Sequence, residues 1–165
     1  RMIVMYRATL ASLLLLCGLL AGCSAVTPFS TLTKLDVVLT ASEHVNPDLH
    51  GRPSPVVVQL IELRHGVAFE HADFFSLYGN AQQALPKDWV GSEEVELRPG
   101  DRLALKLRIA ADSRFVGVLA AYRDLPHVQW RLLVPLAVQQ RNRAELVLDQ
   151  GGIRVADPLA AVETQ

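Results

Sequence analysis

Cysteine is scarce in this chain of 165 residues: there are two, Cys17 and Cys23, and both lie near the N-terminus. We therefore expect no disulfide, cysteine-ligated metal or cysteine nucleophile beyond Cys23, and the rest of the chain has to fold on its hydrophobic core alone. Long blocks of like charge are also missing, and the formal net charge is −1. Because nucleic-acid-binding domains carry a basic patch or stripe, the composition predicts no nucleic-acid partner.

Charge is almost absent from the first segment. Arg1 and Arg7 are the only charged residues before Lys34, and an apolar run extends from Ala8 to Ala21. This run is shorter than the about 20 residues that a membrane-spanning helix needs. A basic start, a short apolar run and small residues at its end are typical of a secretory signal peptide, which we predict over residues 1–22.

The end of this segment reads Leu20-Ala21-Gly22-Cys23 and resembles the lipobox of bacterial lipoproteins. The resemblance implies cleavage before Cys23, a thioether-linked diacylglycerol on its side chain and an N-acyl chain on its freed amine. Ser24 follows, where an aspartate would mark inner-membrane retention, so the resemblance implies the periplasmic face of the outer membrane. Residues 23–33 are then the lipidated cysteine and an uncharged tether. The alternative is that Cys23 is merely a small apolar residue in a signal tail.

The chain from Lys34 to residue 157 is dominated by alternation of polar and apolar residues with a period of two. In "DRLALKLRI", for example, the apolar residues from Leu103 to Ile109 point one way while Arg102, Lys106 and Arg108 point the other. Several short strands of this kind, separated by turn-forming residues, predict an all-β domain: an antiparallel β-sandwich. The stretch "VQWRLLVPLAVQ" is predicted to be one strand with Trp130 on its inner face, and Pro135 predicts that this strand lies at an edge or is bulged there.

One stretch departs from this pattern. Between residues 70 and 86, "EHADFFSLYGNAQQALP" places apolar residues near helical spacing, which predicts a small helical insertion. Gly79-Asn80 is expected to divide it and Pro86 to end it. Residues 158–165 are left as a C-terminal tail.

Motifs of known chemistry are missing from the chain. There is no GxSxG, HExxH or P-loop pattern, and nothing local marks a catalytic triad, so we predict no catalytic residue and no enzyme. A metal site in this stretch would require the side chains of Glu43, His44, Asp48 and His50 to converge on one point. The prolines and glycine of this stretch instead predict an extended surface loop, so no metal site is expected. Its prolines restrict the backbone, which suits either a rigid connection or a docking loop.

Several short motifs occur in an order that resembles the TssJ (SciN-type) lipoproteins of the bacterial type VI secretion system. After the lipobox come "NPDLHGRPSPVVVQLIEL", "FEHADFFSLY", "RPGD", "VGVLAAYRD" and "WR". The resemblance runs from Cys23 to about Val155. It implies a transthyretin-like β-sandwich of two sheets with an added helical element, and a protein that is not an enzyme and needs no cofactor or small-molecule substrate.

The resemblance also implies a role and a partner. Members of this family anchor the secretion system's membrane complex to the outer membrane by binding the periplasmic C-terminal domain of the inner-membrane protein TssM. The family's contact is the loop between the first two strands, which corresponds here to Ser42–Ser54. The expected partner-binding residues are His44, Asn46, Pro47, Asp48, His50 and Arg52. Two alternatives remain: a periplasmic lipoprotein whose sandwich binds a small ligand or glycan, and, less favoured, a hydrolase with a site assembled from distant residues.

Overall fold

The computed structural model describes residues 31–156, so the predicted signal peptide, Cys23, Ser24, most of the tether and the predicted C-terminal tail lie outside the described residues. Strands and helices follow one another in this order: β1 (Thr33–Ala41), β2 (Val56–Leu63), α1 (Val67–His71), α2 (Phe74–Ala84), β3 (Trp89–Leu97), β4 (Arg102–Ile109), β5 (Phe115–Ala120), a short 3₁₀ turn (Leu125–His127), β6 (Arg131–Pro135), β7 (Arg141–Asp149) and β8 (Gly152–Val155). No helix between residues 31 and 156 is long and apolar enough to cross a membrane.

The strands form two four-stranded sheets, with the orders β4-β1-β7-β8 and β3-β2-β5-β6. This arrangement confirms the predicted sandwich of two sheets, and β6 lies at an edge, as Pro135 predicted. Across the described residues, the strand pairs are antiparallel except for β1 and β7, which pair in parallel. β6 ends at the end of the sandwich where β1 begins, and the β6–β7 connection crosses there to the other sheet. β7 therefore runs in the same direction as β1.

The sandwich therefore has two distinct ends. The anchor end is the one where β1 begins at Thr33, the last residue of the predicted tether. The loop end is the opposite one, and it carries the β1–β2, β3–β4, β5–β6 and β7–β8 connections. The 9 residues of β1 separate the two ends by about 30 Å, at about 3.3 Å per strand residue.

The core lies between the sheets and is built from alternate residues of their strands. On β1, residues 33, 35, 37, 39 and 41 are buried and the residues between them are half-buried. A second apolar cluster lies outside the second sheet, where α1 and α2 cover β2 and β5. Gly117 on β5 permits this contact, because a Cβ there would lie 2.8 Å from the ring of Phe69. The members of this second cluster that are most buried are Ile61, Leu63, Phe69, Leu77 and Leu119.

The helical insertion is confirmed, and it is divided twice. The chain leaves the first helix at Ala72, and Asp73 caps the second by accepting from the Ser76 backbone N–H at 3.0 Å. Asn80 then has non-helical angles (φ −161°, ψ 88°), which confirms the predicted division at Gly79-Asn80.

The prediction for Trp130 was wrong. The strand begins only at Arg131, and the irregular backbone before it turns the Trp130 ring outward to meet Phe74 edge-on, with ring centroids 5.2 Å apart. Arg131 covers the other side of this indole at 4.0 Å from the ring centroid. Its guanidinium also donates to the backbone oxygens of Phe69 and Ala72. Trp130 thus belongs to the helical layer and not to the core between the sheets.

Candidate partner-binding site

Asn46 holds the β1–β2 loop against the rest of the loop end. Its side chain is 3% exposed, and its φ of 48° is a left-handed value that asparagine tolerates better than most residues. The Nδ2 atom donates to the Pro55 backbone oxygen at 2.8 Å, and Oδ1 accepts from the Arg123 backbone N–H at 2.8 Å. Neighbouring Val45 is fully buried. The first part of the loop is therefore part of the core.

Asp48 organises the tip of the loop, which we define as Asp48–Arg52. Its Oδ1 accepts from the backbone N–H groups of His50 and Arg52 at 2.8 and 3.0 Å, and its Oδ2 accepts from the Arg52 Nε at 2.8 Å. Gly51 supplies the positive φ of 77° that closes the turn. These contacts lower the pKa of the Asp48 carboxyl, and the hydrogen bond from the Arg52 backbone N–H contributes most. Asp48 is therefore ionised at neutral pH.

Leu49 is the apex of this tip. Its relative exposure is 103%, so the side chain makes almost no contact within the protein. A single exposed leucine is common on protein surfaces, so it is the position of Leu49 at the apex of an ordered turn that makes it a candidate contact. Leu49 was not among the predicted partner-binding residues, and the signal that marks it is one large apolar residue in the otherwise polar tip.

A groove of about 570 Å³ lies between the tip and the β5–β6 connection. Tyr122 forms part of its floor, and its hydroxyl donates to the Asp149 backbone oxygen at 2.8 Å. Burial raises the pKa of this phenol well above its ordinary value, with the nearby Asp149 carboxylate contributing. The groove is lined by Asn46, Pro47, Asp48, Leu49, His50, Tyr122, Arg123, Asp124, His127, Val128 and Gln150.

The predicted loop residues occupy different positions around this groove. Pro47 and Asp48 are half-buried in its wall, while His50 and Arg52 are exposed at the tip. His44 is also exposed but lies apart, at a shallow recess formed with the β7–β8 turn. Of the predicted set, Asn46 thus positions the loop, and His44, His50 and Arg52 are open to solvent.

The geometry of the loop offers little to a metal or to catalysis. Within residues 31–156, no three His, Asp, Glu or Cys side chains converge to hold a metal ion. The Asp48 carboxylate, one of the residues considered for such a site, is already bonded within the tip. What the loop end presents is an apolar apex, a groove and a rim of charged side chains.

Two four-stranded sheets packed face to face, with a helical layer over one of them, define the class of protein: a small two-sheet β-sandwich domain. The model of the type VI secretion lipoprotein family (T6SS-SciN, described with VasD, EvfM and TssJ) matches residues 33–151. The chain belongs to this family of type VI secretion lipoproteins. No curated protein sequence matches the chain.

Solved structures agree with this assignment. The type VI lipoprotein TssJ1 from Pseudomonas aeruginosa is 32% identical, with a TM-score of 0.73, and the match covers 76% of this chain and 95% of that one. Serratia marcescens Lip, described as a membrane-bound component of the type VI secretion system, is 28% identical, with a TM-score of 0.71 and coverage of 76% and 97%. A chain in a structure described as the C-terminal domain of the type VI protein TssM from EAEC shares the fold, with 20% identity, a TM-score of 0.63 and coverage of 76% and 98%.

Proposed function

We propose that this protein is a non-enzymatic, outer-membrane-anchored component of the type VI secretion membrane complex, and that its loop end binds the periplasmic C-terminal domain of the inner-membrane protein TssM. The single observation that carries the site is the fully exposed Leu49 on a turn that Asp48 holds in place. Membership of the secretion lipoprotein family supports the role. The only attached group is the lipid on Cys23, and Ser24 directs the anchor to the outer membrane.

The two ends of the sandwich fit this function. The lipid anchor on Cys23 reaches the domain through the tether, which spans at most about 35 Å when fully extended. The tether enters at Thr33, so the loop end lies on the far side of the domain, about 30 Å of β1 away. A partner that approaches from the inner membrane therefore meets the loop end first.

The tip alone is too small to be the whole interface. Stable protein–protein contacts bury about 1,200–2,000 Å² in total. The groove beside the tip adds the segment from Tyr122 to Val128, and the recess beyond it adds His44 and the β7–β8 turn. We expect the partner to cover this continuous surface, with Leu49 as its central apolar anchor and the charged side chains as its rim.

The test is calorimetric titration of the lipid-free chain beginning at Ser24 with the cognate TssM domain. Replacing the whole loop would also remove Val45 and Asn46, which are buried, so only the tip is altered. Leu49→Asp places an unpaired charge at the apex and should abolish measurable binding. Val138→Asp is the matched control, because Val138 is 40% exposed at the opposite end, in the β6–β7 connection.

The outcomes separate the parts of the proposal. Loss of binding with Leu49→Asp and normal binding with Val138→Asp, both with an unchanged unfolding midpoint, would support both the partner and the site. Normal binding by both variants would retain the partner and refute the site. No binding by the unaltered chain would refute the partner.

The groove also supports one alternative function, the binding of a glycan or small ligand. Its volume of about 570 Å³ lies within the 300–1,000 Å³ usual for small-molecule sites, and Arg123, Asp124 and His127 provide polar groups at its edge. A glycan or small ligand bound there would raise the unfolding temperature of the free protein. This rise would be lost in His127→Ala, whereas TssM binding that depends on Leu49 would not require such a ligand.

A further inference from the structure

The outer face of the sheet formed by β4, β1, β7 and β8 carries two rows of basic side chains near the anchor end. In the first row, Arg108, Lys34 and Arg141 are register partners on three neighbouring strands. In the second row, Lys106 and Arg143 flank Asp36. We call the five cations of these rows the basic face: Lys34, Lys106, Arg108, Arg141 and Arg143.

The basic face is only partly neutralised by the protein's own carboxylates. Arg141 lies 3.6 Å from Asp36, and Arg143 pairs with Glu145. Between residues 31 and 156, no ion pair involves Lys34, Lys106 or Arg108. Directly opposed like charges on neighbouring strands destabilise a sheet, so an anion outside the protein would relieve this repulsion.

This concentration of positive charge is local. Strand β3, at the edge of the other sheet, carries Glu93, Glu94 and Glu96 and no basic residue, whereas β4 carries three basic residues and no acidic one. The whole chain nevertheless has a formal net charge of −1. One face of the domain is therefore built to attract anions even though the protein as a whole is not basic.

The position of the basic face identifies the anion. Lys34 is the second residue of β1, directly beside the point where the tether enters, and the other four cations surround it on the same face. Leu32 and Val138 are exposed at the same end, at 49% and 40%. Cationic and apolar side chains together, next to a lipid-bearing tether, match the chemistry of a phospholipid surface.

We infer that the basic face rests on the anionic phospholipid headgroups of the membrane that holds the anchor. The inference rests on the proposed function, since it takes the lipid on Cys23 to bring the domain to that surface. A basic residue close to an anionic leaflet strengthens the attraction roughly fivefold, and the effect fades within a screening length of about 8 Å at physiological salt. Because the five cations lie on the anchor half of the sheet face, the contact turns a freely tethered domain into a tilted one, with the anchor end against the membrane and the loop end raised from it.

The experiment uses the full acylated protein reconstituted into two kinds of vesicle: phosphatidylcholine alone, and phosphatidylcholine with about a third phosphatidylglycerol, both carrying a headgroup quencher. Ala104 is exposed on β4 beside the basic face, so a fluorophore attached through an Ala104→Cys variant reports contact with the membrane. A fluorophore attached through Leu49→Cys reports the loop end. We expect at least twofold stronger quenching at position 104 in the phosphatidylglycerol vesicles, reversed by 0.5 M NaCl, and little quenching at position 49 in either.

Two double variants test whether the membrane contact depends on the basic face or only on the net charge of the protein. Lys106→Glu with Arg108→Glu should remove the extra quenching at position 104. Arg102→Glu with Arg154→Glu makes the same charge change on the same sheet face, but near the loop end, roughly 13–20 Å farther along the strands. It should leave most of the extra quenching in place. Circular dichroism melting checks that both double variants fold.

Equal quenching at position 104 in the two kinds of vesicle, or equal loss in both double variants, would overturn the basic-face contact. Flotation of the same samples reports the anchor separately: protein that floats with phosphatidylcholine alone has an inserted lipid, whatever the quenching shows. Failure to float with those vesicles, together with quenching only in the phosphatidylglycerol vesicles, would refute the anchor and support the face. Absence of binding to both would refute both.

Discussion

Replacing Leu49 with alanine is the most direct test of the candidate site, because it changes the proposed partner contact and almost nothing else. Leu49 is 103% exposed in the free protein, so its truncation removes no packing and should leave the free energy of unfolding within about 0.5 kcal/mol of the unaltered value. Any loss of affinity then arises in the complex.

The size of that loss follows from the area that the side chain can bury. Complete burial of an exposed leucine contributes about 1.5–3 kcal/mol, and alanine retains only a small part of it. We expect Leu49→Ala to cost about 1–2 kcal/mol of binding free energy, which is roughly a 5- to 30-fold rise in Kd. Isothermal titration against the TssM periplasmic domain measures this ratio, and denaturant unfolding of the variant checks its stability.

Leu49→Met is the matched control for hydrophobicity, since it keeps most of the apolar surface and should raise Kd by less than about threefold. A Kd for Leu49→Ala equal to that of the unaltered chain would refute the reasoning, because a side chain this exposed has no other contact to compensate. A large fall in stability would equally contradict it, because it would show that Leu49 packs on the protein itself.

The other side chains of the loop end lead to different expectations. Asn46→Ala loses two buried hydrogen bonds, so urea unfolding should show a loss of about 2–4 kcal/mol. Asp48→Asn removes the carboxylate that accepts from the Arg52 Nε, so it should lower the melting temperature slightly and weaken partner binding several-fold at pH 7. Because the pKa of Asp48 is lowered in the folded tip, the ordering that its carboxylate provides is present above about pH 4 and lost as pH falls through the lowered pKa. Tyr122→Phe removes the bond to the Asp149 oxygen and should cost about 1 kcal/mol in the same unfolding assay. Because burial raises the pKa of Tyr122, this tyrosine's contribution to stability is complete below about pH 10 and declines above it, so the variant should show a flatter alkaline limb.

The fold was largely predictable because its strands alternate cleanly. In β1 and β4 the residues that face the core can be read directly from the alternation in the sequence. The helical stretch is marked by the helical spacing of its apolar residues. Trp130 shows where this reasoning fails. The prediction continued the alternation of inward and outward residues through the irregular segment before Arg131. The Trp130 ring instead packs against Phe74, which is distant in sequence. Parity predicts burial only where a ladder of hydrogen bonds keeps the backbone regular.

The position of the β1–β2 loop was predictable from the sequence, whereas the placement of its side chains was not. Turn-forming residues marked the segment, yet nothing local shows that the Asn46 side chain would reach Arg123 across 77 positions of sequence. Nor does composition show that Leu49 stays outside while nearby Val45 is buried. The basic face was missed for a related reason. Charge counted along the chain averages over strands, whereas the pairing of β4, β1 and β7 places their cations side by side.

A rigid tip and an oriented domain would both lower the entropic cost of partner binding. Association costs freedom of movement, and every degree of freedom that is already fixed in the unbound protein lowers that cost. The contacts of Asp48 fix the tip before the partner arrives, and the buried Asn46 fixes the loop on the sandwich. A basic face resting on the membrane would remove rotations of the whole domain as well. Leu49 would then be presented in one direction, away from the bilayer, and a membrane-anchored partner would meet it at a far smaller entropic cost than a freely tumbling domain would impose.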